Sequence, residues 1–265
     1  MLMQRSGIVT LLTDFGLQDP YVGIMKGVML NLAPALRLID LTHGIVAQDV
    51  QQGALALESA WRYFPVGTVH LAVVDPGVGS LRHPLLIEAA GHAFVGPDNG
   101  LLEAAFQADP HARAYILSHP AYRLERVSRT FHGRDLFAPA AAHWALGIVG
   151  EAFGPLLHSP VRRESPSAHA IPGGYQGEII GVDVYGNLLT NLSGALLRQA
   201  PVWRVRVAER MMPVVQTYAD VAPGALLALE GSTGRLELSV REGSAAALLE
   251  VGRHFPVILE AAELE

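Results

Sequence analysis

Apolar and polar positions along the chain alternate between two patterns. Gly7–Leu12 is an apolar run, interrupted only by Thr10 and ending at Thr13-Asp14, as expected of a strand buried on both faces. From Tyr21 to Leu32 the apolar residues Val22, Met25, Met29 and Leu32 recur at helical spacing, and Pro34 follows. Leu36–Leu41 reads as a second strand, Val50–Phe64 as a helix, and Thr68–Val74 as a third strand ending at Asp75-Pro76-Gly77. Leu85–Ala89 and Ala93–Val95 read as strands joined by Gly91-His92, and Gly100–Ala108 and Pro139–Leu146 as helices. Strands alternating with helices predict an α/β N-terminal domain, residues 1–165, with a largely parallel sheet. In such sheets ligands bind beyond the carboxyl ends of the strands.

The texture changes between Glu151 and Gly174, where Pro155, Pro160, Pro166 and Pro172 mark a linker. Beyond it Gly177–Val184, Val202–Val207, Leu226–Leu229, Arg235–Val240 and Phe255–Leu259 read as short strands. They predict a smaller all-β C-terminal domain, residues 172–265, with the spacing of a barrel.

Half of the residues are hydrophobic and 17% are charged, so the chain can bury enough apolar surface to fold. The absence of cysteine excludes disulfides, thiolate metal sites and a cysteine nucleophile, and fits a reducing compartment. A net charge of −6 without a basic run argues against nucleic-acid binding. Met1–Thr10 lacks the features of a signal peptide and no apolar stretch is long enough to span a bilayer, so a cytoplasmic protein without membrane contact is expected.

Six polar clusters could carry chemistry. In Thr13-Asp14-Phe15-Gly16, an acid at a strand end can accept hydrogen bonds from two ribose hydroxyls; Asp19 behind it could equally cap the next helix. Asp75-Pro76-Gly77-Val78-Gly79-Ser80-Leu81-Arg82 can turn an acid and a guanidinium into one cavity, or be a turn with a surface ion pair. Gly96-Pro97-Asp98-Asn99-Gly100 is best read as structural turn chemistry. Thr130-Phe131-His132-Gly133-Arg134-Asp135 offers a histidine able to orient water or move a proton, while Asp135 could cap a helix and pair with Arg134. Of the eleven histidines, His70, His92, His111, His119, His143, His158, His169 and His254 show no partnering pattern. Asp183-Val184-Tyr185-Gly186-Asn187 with Thr190-Asn191 suits a purine, stacked on a ring and read on its edge, and is also good hairpin chemistry. Gly231-Ser232-Thr233-Gly234-Arg235-Leu236-Glu237 could hold a carboxylate or be an ordinary hairpin loop.

The six clusters, in this order from Leu11 to about Leu238, resemble the S-adenosylmethionine hydroxide adenosyltransferases, relatives of the fluorinating and chlorinating enzymes that use the same substrate. The resemblance implies hydrolysis of S-adenosylmethionine to adenosine and methionine, with water attacking the ribose C5′ carbon. No cofactor or metal is needed, because the sulfonium departs as a neutral thioether. It implies a homotrimer with active sites between subunits.

By the same resemblance Asp75, Arg82 and His132 form the catalytic trio, and Asp14 holds the ribose. Asn187 and Tyr185 meet the adenine, Asp183 and Asp19 lie near the methionine ammonium, and Ser232 contacts its carboxylate. Tyr218 reaches the adenine from a neighbouring subunit, and Glu237 matches a recurring position of unassigned role. The halogenating relatives carry tyrosine in place of Asp75 and of His132, which favours water as the nucleophile. Two other readings stay open: a metallohydrolase built on His132, Asp135, Asp75 and Asp98, and an adenosine- or S-adenosylmethionine-binding protein without turnover.

Overall fold

A computed structural model describes residues 5–163, 167–200 and 202–262, in two compact units, Met1–Arg163 and Glu164–Glu265. Met1–Gln4 and Pro166, which belong to the N-terminal and linker readings above, lie outside the described residues.

The first unit is a six-stranded sheet with helices packed on it. Its strands are β1 (Ile8–Thr13), β2 (Arg37–Thr42), β3 (Val69–Val73), β4 (Pro84–Ala89), β5 (His92–Pro97) and β6 (Arg113–Ile116), in the order β2-β1-β3-β5-β4-β6. The four strands β2, β1, β3 and β5 run parallel, and β4 lies antiparallel to both β5 and β6. Every residue of β1, β3 and β5 is buried, as their apolar runs require. Helix α1 (Tyr21–Leu32) buries Val22, Met25 and Met29 against the sheet, the face set by their spacing. Helix α2 (Val50–Ala60) begins at Asp49, whose side chain accepts from the Gln52 amide, and stops in a short 3-10 turn, Trp61–Tyr63. Helix α3 (Glu103–Ala108) is shorter than its sequence pattern. Helix α4 (Ala138–Ala145) continues directly from a single π-helical turn, Gly133–Phe137, and packs on α1.

The second unit is antiparallel. Strands β7 (His169–Ile171), β8 (Gly174–Val182), β9 (Leu188–Ser193), β10 (Trp203–Val207), β11 (Arg210–Pro213), β12 (Leu226–Glu230), β13 (Arg235–Val240) and β14 (Pro256–Ala261) form a sheet ordered β11-β10-β14-β8-β9-β13-β12, with β7 added beside β8. Its first and last strands meet where Val214 pairs with Ala228, and the Val215 amide donates to the Ala228 carbonyl at 2.9 Å. The sheet thus curls nearly into a barrel around Leu188, Leu192, Val205, Leu236, Leu238 and Leu259. A short helix, α5 (Ala245–Leu249), is capped by Ser244. Among the described residues no helix is long and apolar enough to cross a membrane.

Candidate active site

In the first unit the loops after three adjacent parallel strands converge on one cleft. Asp14 follows β1, Gln48 lies beyond β2, and Asp75 follows β3; His132 arrives from the other side, on the residue that opens the π turn. These residues, with Phe15, Val73, Val78, Thr130 and Phe131, line a cleft of about 290 Å3. A single π turn is a device for re-aiming side chains at a functional site, and here it sets His132 facing the Asp75 loop.

Behind the cleft sits Arg82. Its Nε donates to Asp75 Oδ1 at 3.0 Å and its Nη2 donates to Asp75 Oδ2, a two-point guanidinium–carboxylate pair. The side chains are only 9% and 6% exposed, so this is not a surface ion pair. Nη2 also donates to His132 Nδ1 at 2.8 Å, and the guanidinium lies 5.3 Å from the Phe137 ring. Burial, and then the Arg82 charge, push the His132 imidazolium below its ordinary range, against the opposing pull of Asp75 and Asp135. His132 is therefore neutral at pH 7. Because arginine only donates, the His132 proton sits on Nε2.

Two backbone details hold the trio. Gly79 has φ +77°, and a Cβ there would come within 2.5 Å of the Arg129 carbonyl. The loop that joins Asp75 to Arg82 can lie against the loop leading to His132 only with glycine at that point. At Gly133 a Cβ would meet the Met25 sulfur at 3.1 Å and the Phe131 ring at 3.3 Å.

Asp14 has one carboxylate oxygen tied down, Oδ2 accepting from the Gln48 amide at 2.8 Å. Gln48 makes that contact from φ +69°, a strained conformation for a residue with a side chain. The turn after Thr13 is braced from below: Thr13 Oγ1 lies 2.8 Å from His43 Nδ1, and His43 Nε2 lies 3.0 Å from Asp40.

The second unit gathers another set. Tyr185, Asn187 and Tyr218 line a cavity of about 520 Å3 together with Val240, Glu242, Gly243 and Ser244. Asp183 organises its rim. Its Oδ1 accepts from the amides of Tyr185 and Asn187, and its Oδ2 accepts from the Asn187 side-chain nitrogen, each at 2.9 Å. Gly186, at φ +83°, lets Ser244 approach where a Cβ would stand 2.0 Å from its hydroxyl. Glu237 is buried beneath Tyr218 and accepts its hydroxyl at 2.5 Å.

Two of the expected site residues stand apart. Asp19 is exposed and lines neither cavity. It does not cap α1 either, since that position belongs to Pro20, without a side-chain hydrogen bond. Ser232 is exposed in the β12–β13 turn.

The remaining clusters are structural. The Asn99 side chain donates to the Val74 carbonyl at 2.9 Å, and Asp98 accepts from the Val161 amide at 2.8 Å. Asp135 is buried inside the π turn, paired with Arg134 and accepting the Ser128 amide. With Asp75 given to Arg82 as well, the acids of the metallohydrolase reading point to separate partners. Among the described residues no three His, Asp or Glu converge as metal ligands. His70 and His92 do have partners: His70 lies between Thr10 (2.9 Å) and His92 (3.1 Å), enclosed by Trp61, Phe64 and Phe94.

Sequence reasoning did not single out Gln48 or the apolar walls Phe15 and Phe131. The two rings sit inside quoted motifs and pack edge-on at 6.0 Å. Gln48 acts through its backbone, which leaves no trace in residue type.

Residues 9–154 match the SAM hydroxide adenosyltransferase N-terminal domain, and residues 177–258 match the C-terminal domain of the same family. The chain is 42% identical over 260 residues to an (R)-S-adenosyl-L-methionine hydrolase of Thermus thermophilus, covering 95% of this chain and 98% of that protein. It is 42% identical to one of Salinispora tropica over 246 residues, 92% and 94% of the two chains. A fluorinase of an Actinoplanes species is 26% identical over 248 residues, 80% of this chain and 83% of the relative. Among solved structures, an uncharacterized conserved protein from Thermotoga maritima superposes with a TM-score of 0.89 at 33% identity, over 95% of this chain and 99% of that one.

Proposed function

The chain belongs to the SAM hydroxide adenosyltransferase family, and from that premise we propose that it hydrolyses S-adenosyl-L-methionine to adenosine and L-methionine. The buried Asp75–Arg82–His132 assembly at the mouth of the strands is the observation that carries the chemistry.

Water attacks C5′ in line with the sulfonium. The new C–O bond forms as the C–S bond breaks, its electron pair stays on sulfur, and methionine leaves as a neutral thioether. One proton must leave the water. His132, with Nδ1 occupied by Arg82, presents Nε2–H and holds the water oxygen as a donor. With Asp14 assigned to the ribose hydroxyls, Asp75 is the acceptor within the trio, and the proton goes to its carboxylate. Arg82 holds both residues in place and keeps their charge balanced.

Asp14, oriented by Gln48, takes the ribose hydroxyls, and the rings of Phe15 and Phe131 form a dry wall beside the reacting carbon. Tyr185, Asn187 and Tyr218 form the adenine subsite, and Asp183 shapes it. Asp19 and Ser232, exposed and outside both cavities, have only the family resemblance to support a place at the methionine ammonium and carboxylate. A carboxylate beside the nucleophile's seat repels halide, which supports water over the halogenating chemistry of the fluorinase relatives.

No step of this mechanism requires a metal or other cofactor. The assembly is a cytoplasmic homotrimer with shared sites, acting on a small molecule and contacting neither nucleic acid nor membrane. The test is to incubate the protein with S-adenosylmethionine and excess chelator and follow products by chromatography. Adenosine and methionine should rise together. Intact substrate recovered from folded protein would leave only a binding function, and loss of turnover in chelator would restore the metal reading.

A further inference from the structure

Tyr218 is fixed at two points that no ligand is needed to supply. Its backbone lies in a short 3-10 turn locked at Thr217, whose side chain accepts from the Asp220 amide while Asp220 accepts from the Thr217 amide at 3.0 Å. Its hydroxyl donates to Glu237 Oε1 at 2.5 Å, and Ser239 Oγ donates to the same oxygen at 2.9 Å. Glu237 and Ser239 both sit on β13 with side chains buried in the wall of the unit. Burial, and then Glu237, hold the Tyr218 phenol protonated, its ionisation pushed up to about 12. The single phenolic proton is committed inward, so the hydroxyl has none to give a ligand. What the ring offers the cavity is its face and edge.

We propose that Glu237, seconded by Ser239, is a positioning residue that fixes the Tyr218 ring as a stacking platform for the adenine. The assignment rests on the adenine-subsite reading above and gives Glu237 its role. It makes the subsite selective for a flat aromatic base by shape and stacking, with edge recognition left to Asn187. Glu237 touches no reacting atom, so its contribution appears in substrate affinity and not in the chemical step.

Four variants test this: Tyr218→Phe, Glu237→Ala, Glu237→Gln, and the double variant of the first two. Each is assayed for kcat and KM with S-adenosylmethionine and for adenosine affinity by calorimetry. Losing this part-buried hydrogen bond should raise KM and the adenosine Kd by about fivefold in Tyr218→Phe and in Glu237→Ala, with kcat within about twofold of the parent. Glu237→Gln keeps an acceptor oxygen and should restore most of the affinity. In the double variant the two losses should not multiply, because one contact is removed twice. An unchanged KM in Tyr218→Phe overturns the proposal, and that variant removes a single atom, so misfolding of Glu237→Ala cannot shelter it. A fall in kcat with constant KM, or a Gln variant as poor as Ala, also overturns it by showing that Glu237 acts through its charge. Failure of the parent protein to bind adenosine at all is a different result and removes the underlying function instead.

Discussion

Arg82 Nη2 stands 2.8 Å from Nδ1 of His132, and a guanidinium can only donate. That contact fixes the tautomer of the histidine and removes it as the base. Asp75→Asn, which keeps shape but loses the proton acceptor, should lower turnover by roughly 10²- to 10⁴-fold. His132→Gln retains a donor and should cost less. Steady-state rates on both variants decide the order, and a larger loss at His132 would reverse the assignment.

Protonating His132 places a hydrogen between Nδ1 and Arg82 and breaks their contact. Its folded-state pKa is lowered by burial and then by Arg82, so the working neutral form persists below the ordinary histidine value near 6.5. The kcat profile should therefore be flat through neutrality and fall on the acid side, with a midpoint below that value. A midpoint above 6.5 would contradict the geometry.

Binding and chemistry should separate by residue. Asp14→Ala removes a ribose contact made in ground and transition states alike, and should weaken adenosine affinity by about tenfold or more. Arg82→Ala should lower turnover far more than it lowers that affinity. Calorimetry with adenosine beside turnover assays reads both, and near-parent turnover in Arg82→Ala would remove the mechanism.

The glycine at position 79 offers a steric test. Gly79→Ala forces a Cβ to within 2.5 Å of the Arg129 carbonyl at φ +77°, and should destabilise the fold by about 1–3 kcal/mol. Turnover should fall as well, because the same loop carries Asp75 and Arg82. At Gly77, whose nearest contacts would be ordinary ones at 3.4 Å, the same substitution should be mild. Equal melting temperatures for the two variants would refute the argument.

The buried His70–His92 pair predicts acid sensitivity. Burial and then the neighbouring His92 lower the His70 pKa to about 3. An unfolded chain takes up that proton near pH 6.5, so the stability from neutral His70 is complete above that pH. It is lost at up to about 1.4 kcal/mol per pH unit as the pH falls toward 3. His92, also lowered by burial, adds to the slope. Denaturant unfolding between pH 7 and 5 should show a shallower decline for His70→Gln; an unaltered slope would exclude the pair as its source.

Residue patterns revealed the buried parallel strands and α1, because an apolar run or a 3.6-residue stripe is set by one face or two meeting the core. They hid β6, β9, β11 and β7, the last lying inside the stretch read as a linker. Leu188–Ser193 alternates with polar residues inside a motif already read as a turn, and Arg210–Pro213 gains its strand only by pairing with β10. Asp75 was legible as an acid stranded after an apolar run; its grouping with Arg82 and His132 came from the family resemblance. The bracing of Asp14 by Gln48, the π turn and the His70–His92 contact were not legible. Each depends on backbone torsion or on partners 22 to 34 residues away, which residue type does not encode.

The pairing of Val214 with Ala228 leaves the second unit without an open margin at its seam. An unpaired strand is a template on which any passing extended chain can grow, and a curled sheet withdraws that template. Crowding or partial unfolding elsewhere therefore has little purchase here. At that seam copies of this unit meet through side chains, whose fit is selective, and not through backbone, which accepts every sequence alike.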